Sequence, residues 1–240
     1  MLSLPDDIAT CLFDLDGVLT DTASVHRLAW AAAFDPVLKA HGQPAFTDQD
    51  YEDAVDGKPR LDGVRDLFAA RGIDIPEGGD TDSEDAETVH GIAARKNADL
   101  LRRIRDDGVT VFPGSQAYLH AVVGAGLHRI VVSSSANTAD VLKVTGLAPL
   151  IEGRIDGVTI VERGLPGKPA PDSFLAGAEL AGTPPSRAAV FEDATAGVQA
   201  GRSGGFGFVV GVNRHDEAHA QALRDHGADL VVTDLGDLLV

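Results

Sequence analysis

Cys11-Leu12-Phe13-Asp14-Leu15-Asp16-Gly17-Val18-Leu19, continued by Thr20 and Asp21, is the stretch on which the reading of this chain turns. An apolar run that begins at Ala9 ends in two aspartates two residues apart, and Gly17 then breaks it. A short apolar run stopped by a glycine predicts a strand, here over residues 9–14. In parallel α/β sheets ligands bind at the carboxyl ends of the strands. Two carboxylates at such an end repel each other unless a cation lies between them. That cost points to metal binding, or to acid–base and nucleophilic chemistry. Taken alone, Asp-x-Asp-Gly is equally a capped turn or a calcium loop.

Outward from this stretch the pattern changes twice. Val25, Leu28, Ala29, Ala32, Ala33, Val37 and Leu38 recur at helical spacing, and residues 46–54, 62–70 and 85–104 read as further helices. No buried strand is legible among them. After Phe112-Pro113-Gly114 the chain alternates. Helices over 115–124, 138–145, 171–181, 196–202 and 217–226 interleave with strands over 129–133, 188–191, 206–212 and 230–232. A polar connection is expected between residue 145 and Gly167. Strands alternating with helices predict an α/β fold. The expected architecture is a Rossmann-like, doubly wound parallel sheet core, residues 1–21 and 104–240, with an inserted all-helical cap domain at 22–103.

The 240 residues are 44% hydrophobic, which supports a substantial core. Acidic residues outnumber basic ones 37 to 20, for a net charge of −17. That balance argues against a nucleic-acid or anionic-membrane partner, so any phosphate site must be built locally. Cys11 is the single cysteine, so no disulfide forms within the chain, and a reducing cytoplasm is expected. No basic leader or apolar run of membrane-spanning length is present. A cytoplasmic monomer is the expectation.

Four polar clusters fall just after predicted strands: Asp14 with Asp16, Ser133-Ser134-Ser135, Lys168, and Glu192-Asp193. Strand ends of a parallel sheet share one edge, so these clusters can converge. Carboxylates and a lysine in one crevice suit a phosphoryl group with a hard divalent cation such as Mg2+. A serine hydroxyl and an ammonium can hold the phosphate oxygens while one aspartate attacks phosphorus. A second aspartate can give a proton to the leaving oxygen and later take one from the attacking hydroxyl.

Taken together these motifs resemble those of the haloacid-dehalogenase (HAD) superfamily, and within it the β-phosphoglucomutase group. Asp14-Leu-Asp16-Gly-Val-Leu-Thr20, Ser133, Lys168 and Glu192-Asp193 match the four superfamily motifs. His26 with Trp30, Gly57-Lys-Pro-Arg60, Lys96-Asn97, Ser133-Ser-Ser135-Ala-Asn137 and Gly167-Lys-Pro-Ala-Pro-Asp172 match the narrower group. The resemblance implies Asp14 as nucleophile, through an aspartyl-phosphate, and Asp16 as general acid/base. It implies Mg2+ held by Asp14, the Asp16 backbone carbonyl, Asp193 and Glu192. Ser133 and Lys168 would bind the transferring phosphate, with Ser135 and Asn137 assisting. Arg60 would grip the second phosphate, and Gly57, His26 and Lys96 would line the sugar side of the cap. Ala136 stands where that group carries a lysine.

The implied activity interconverts β-glucose 1-phosphate and glucose 6-phosphate through glucose 1,6-bisphosphate. A sugar-phosphate phosphatase on the same site is the leading alternative. A dehalogenase would have little use for Asp16 or the metal carboxylates, and a phospho-sugar sensor could dispense with the nucleophile. The partner in either phosphoryl-transfer reading is a small phosphorylated sugar.

Overall fold

Apolar strands in a parallel sheet are buried on both faces, and β1 (Thr10–Phe13) is buried at every residue. The computed structural model describes residues 2–55 and 58–240, so the site expectation for Gly57 lies outside the described residues. The chain divides into two compact units, residues 1–22 with 109–240, and residues 23–108.

Downstream of β1 come helices α1 (Thr22–Ala40), the single turn α2 (Asp48–Asp50), α3 (Arg60–Ala70) and α4 (Val89–Asp106). The expected helix at 46–54 begins two residues later. Thr47 caps it, its hydroxyl accepting from the Asp50 N–H at 3.2 Å, and the Asp50 carboxylate accepts in return from the Thr47 N–H at 2.8 Å. A π-helical turn follows at Tyr51–Val55. The helix expected from residue 85 starts at Val89, because the Thr88 hydroxyl accepts from the Gly91 N–H and closes the helix there. Within residues 23–108, Trp30 stacks on Phe34 at 4.8 Å and Phe68 meets Phe34 edge-on at 5.5 Å, in a core with Leu67 and Ile92.

Then follow α5 (Pro113–Gly124), β2 (His128–Val132), α6 (Thr138–Val144), β3 (Gly153–Ile155), α7 (Gly157–Arg163) and α8 (Asp172–Leu180). The chain ends with β4 (Ala188–Glu192), α9 (Thr195–Ser203), β5 (Phe208–Val212), α10 (Glu217–Asp225) and β6 (Leu230–Val232). The polar connection expected between residues 145 and 167 is instead strand β3 and helix α7. Asp156 caps α7 by accepting from the Thr159 N–H at 2.9 Å, and Gly164 ends it in the left-handed region at φ 62°.

The six strands lie in the order β3-β2-β1-β4-β5-β6, and every pairing is parallel. The order runs one way from β1 to β3 and the other way from β4 to β6. The crevice between the ends of β1 and β4 is therefore the switch point where such sheets take ligands. Phe13 lies in register with Val131 of β2 and Phe191 of β4, so the residues that follow these three strands emerge side by side.

Behind this edge Tyr118 of α5 is fully buried against Phe13 and Phe191, with ring centroids at 6.4 and 5.5 Å. Among the described residues its hydroxyl has no hydrogen-bond partner. An unsatisfied buried hydroxyl costs about 1–3 kcal/mol. Tyr118→Phe is expected to stabilise the protein by about 1 kcal/mol, raising Tm by about 2–4 °C. Thermal unfolding checks this, and a lower Tm would mean that a buried water serves the hydroxyl.

Candidate active site

Three strand ends meet at one ammonium. Lys168 Nζ donates to Asp14 Oδ1 at 2.5 Å, to Glu192 Oε1 at 2.6 Å and to the Val132 carbonyl at 3.3 Å. Its underside rests 4.8 Å from the centre of the Phe174 ring on α8. Burial works against the charge on Lys168, but the Asp14 and Glu192 carboxylates outweigh it and raise its pKa above the usual lysine range. Asp14 has an N–H that continues the sheet ladder to the Phe191 carbonyl at 2.9 Å, which fixes where its side chain leaves the strand. Burial, with repulsion from Glu192 and Asp16, pushes its carboxyl up to about 8 against the opposing pull of Lys168.

Glu192 is almost fully enclosed, and its second oxygen accepts from the Ala194 N–H at 2.8 Å. A side chain at Gly197 would strike this carboxylate, so the first turn of α9 needs glycine there. Asp193 packs its carboxylate against Gly17, which has φ 79° and likewise no room for a Cβ. Asp16 accepts from the Thr22 hydroxyl and, at 3.5 Å, from the Ser133 hydroxyl. Ser133 Oγ in turn accepts from the Ser135 N–H at 3.1 Å, and Ser135 Oγ from the Asn137 N–H at 3.2 Å. The turn after β2 is thus held by its own N–H groups donating to its hydroxyls.

Asp14, Asp16, Ser133, Lys168, Glu192 and Asp193 are all gathered at this edge. His26, Arg60 and Lys96 belong to the other unit. There Lys96, almost fully buried, lies 3.2 Å from His26 Nδ1 and 4.8 Å from the centre of the Trp30 ring. Burial, then Lys96 and Arg60, hold His26 well below the ordinary histidine range, so its imidazole is neutral. Among the described residues no acidic side chain pairs with the Arg60 guanidinium.

Two contributors escaped the sequence reading. Thr22, the first residue of α1, donates its hydroxyl to Asp16. Arg214, just beyond β5, donates to the carbonyls of Gly17 and Val18 at 2.6 and 3.3 Å. Its position after a strand end is the same signal that marked the other four clusters.

Among the described residues no three His, Cys, Asp or Glu side chains form a ready-made metal cluster. The donors around Asp14 are nonetheless all oxygens, and the crowded carboxylates leave Asp14 with a raised pKa that a cation would relieve. Mg2+ is commonly held by one or two carboxylates, with water and phosphate completing its shell. The residues present fit that ion.

The model of the haloacid dehalogenase-like hydrolase family matches residues 8–205. The chain belongs to that family. It is 54% identical over 247 residues to a beta-phosphoglucomutase of Mycobacterium tuberculosis (strain CDC 1551 / Oshkosh), covering 100% of this chain and 94% of that one. It is 30% identical to hexitol phosphatase A of Escherichia coli (strain K12), over 95% of this chain and 92% of that protein. The crystal structure of a Clostridium difficile beta-phosphoglucomutase superposes with a TM-score of 0.75 at 25% identity, over 96% of this chain and 93% of that one. The protein is an enzyme, and this full-length similarity supports a phosphotransferase role. Phosphomutases of the family generally use Mg2+. No helix among the described residues is long and apolar enough to cross a membrane.

The raised pKa of Asp14 has a consequence for stability. A carboxyl whose folded pKa stands above its unfolded value of 3.8 loses its contribution as pH rises from there toward the folded value near 8. Asp14→Asn lacks that penalty. Its stability relative to the parent protein is expected to improve between about pH 5 and pH 8, by on the order of 1 kcal/mol or more. Chemical denaturation at the two pH values checks this, and a difference that shrinks with pH would contradict it.

Proposed function

We propose that the protein is a Mg2+-dependent phosphomutase that interconverts β-glucose 1-phosphate and glucose 6-phosphate through an aspartyl-phosphate and glucose 1,6-bisphosphate. The observation that carries this reading is the Lys168 ammonium bridging Asp14 and Glu192 at the switch point of the sheet, in a chain that resembles beta-phosphoglucomutases along its whole length.

In the proposed mechanism Lys168 engages one oxygen of Asp14, and the other attacks phosphorus. The new bond is Asp14 O–P, and the bond to the leaving sugar oxygen breaks. Asp16, held by Thr22 and Ser133, gives that oxygen a proton. The ionised Asp16 then takes a proton from the hydroxyl that attacks the aspartyl-phosphate, which returns Asp14 to its free form. Ser133 and the turn through Ser135 and Asn137 hold the phosphoryl oxygens. Mg2+, held by Asp14, the Asp16 carbonyl and Asp193, would neutralise charge on the transferring phosphoryl group. The Glu192 oxygens accept from Lys168 and the Ala194 N–H, so in this reading Glu192 positions Lys168, and its remaining lone pairs are open to the ion. Arg60 supplies a cation for the second phosphate of the bisphosphate, and the neutral His26 beside Lys96 suits sugar hydroxyls.

A phosphatase on the same site is the second reading, favoured by the similarity to hexitol phosphatase A. Ala136, in the turn that carries Ser135 and Asn137, offers no charge to a phosphate. The two readings separate when the protein is given Mg2+, β-glucose 1-phosphate and a trace of glucose 1,6-bisphosphate, with glucose 6-phosphate and free phosphate followed in parallel. Glucose 6-phosphate is expected to form much faster than phosphate. Phosphate release that dominates and ignores the bisphosphate would assign the protein to the phosphatases. Asp14→Ala is expected to abolish turnover of either kind.

A further inference from the structure

The loop that carries Asp16 lies outside the sheet ladder, so its carbonyls need donors from elsewhere. Arg214 supplies them. Nε donates to the Gly17 carbonyl at 2.6 Å and Nη2 to the Val18 carbonyl at 3.3 Å, while Nη1 reaches the Thr233 carbonyl at 2.9 Å. The guanidinium lies flat enough on Phe112 to bring its central carbon 3.6 Å from the ring centre. Asp234 lies at 3.7 Å. The side chain is 17% exposed, so these contacts form mostly out of solvent.

The Gly17, Val18 and Phe112 contacts bear on Asp16. Gly17 follows it directly, and the Gly17 N–H donates to the Thr20 carbonyl at 2.8 Å, closing a tight loop at φ 79°. The Val18 carbonyl also accepts from the buried Ser115 hydroxyl at 2.6 Å. Phe112 is held in turn, its N–H donating to the Leu19 carbonyl at 3.1 Å, and Thr20 pairs with Val111. One guanidinium thus ties together the loop after β1, the returning segment before α5 and the segment after β6.

We propose that Arg214 is a positioning residue for phosphoryl transfer. By fixing the Gly17 and Val18 carbonyls against the Phe112 ring, it sets the Asp16 carboxyl at the leaving oxygen. The proposal rests on the acid/base role given to Asp16 above. A planar fork that meets carbonyls on two sides and stacks on a ring face is a task for arginine, which lysine cannot copy with one compact ammonium. Lysine does keep the charge, so Arg214→Lys isolates the geometry.

The test compares the parent protein with Arg214→Lys, Phe112→Leu and Asp16→Asn on two substrates. One is the sugar phosphate that the parent protein turns over. The other is p-nitrophenyl phosphate, whose leaving group departs without a proton. For Arg214→Lys, kcat on the sugar phosphate is expected to fall about 10- to 100-fold, with KM within about threefold. The loss on the aryl phosphate is expected to be smaller, because proton donation matters less there. Phe112→Leu keeps the fork but loses the ring, and should show the same bias at smaller amplitude. A brace that served folding alone would lower Tm without this bias, so equal losses on both substrates, or a kcat within twofold of the parent value, overturn the proposal. Should Arg214→Lys not fold at the assay temperature, Phe112→Leu decides by the same ratio. Asp16→Asn keeps the two failures apart. If it shows the bias and the Arg214 and Phe112 variants do not, the positioning role falls and the acid/base reading stands. If Asp16→Asn shows no bias, the acid/base reading falls and takes the proposal with it.

Discussion

One buried ammonium sets the terms for the whole catalytic edge. Lys168 comes from a loop far along the chain, yet it binds the residue that ends β4, the residue that follows β1 and the last carbonyl of β2. Without it, Asp14 and Glu192 would face each other unpaired in an enclosed space, at a cost of several kcal/mol. With it, the local balance is still negative, because Asp16 adds a third carboxylate to one lysine. In a chain of net charge −17, a phosphate dianion gains no help from the protein's overall field. In the proposed function that attraction comes from Lys168, from the Ser133 hydroxyl and from Mg2+.

Backbone geometry meets the same constraint in two places where side chains would intrude. Glycine at 197 lets the Glu192 carboxylate lie against α9, and glycine at 17 lets Asp193 close on the loop after β1. These glycines are what allow four acidic residues to gather within two strand ends and still leave the sheet unbroken. The fold places no charge on the strands themselves apart from the terminal Glu192 of β4, Arg129 near the start of β2, and Arg154 on the edge strand β3.

The sheet was legible because its buried strands are apolar runs bounded by glycine and polar residues. Asp14, Asp16, Ser133, Glu192 and Asp193 were legible because they sit at the ends of those runs, and Lys168 because its Gly167-Lys-Pro context resembles the superfamily motif. What escaped the sequence is equally physical. Strand β3 has three residues with a charged arginine at its centre, and α7 has seven residues with Val158 and Val161 turned to solvent, so neither is long or one-sided enough to show a period. Arg214 works through backbone carbonyls, which carry no residue-specific mark. Thr22 announces itself as an ordinary helix start, and its bond to Asp16 depends on the turn between them. A side chain that serves another chain segment leaves no pattern in its own.

The residues to which the proposed function gives phosphoryl transfer lie within residues 1–22 and 109–240, and they suit hydrolysis as well as transfer to a sugar. In the proposed mechanism Asp14 forms the same acyl phosphate and Asp16 moves the same proton whether the acceptor is water or a hydroxyl. The choice of acceptor therefore has to be made by groups that recognise the sugar. Residues 23–108 hold the groups to which the proposed function gives that recognition. They enclose a lysine beside a neutral histidine and an indole face, and they carry an arginine with no acidic partner among the described residues. The Arg60 side chain is only partly exposed, and that burial works against its charge. In the mutase reading a doubly phosphorylated sugar offsets that cost at Arg60, and water does not. The same argument sets apart an enzyme that retains its bisphosphate intermediate from one that releases phosphate after each turnover.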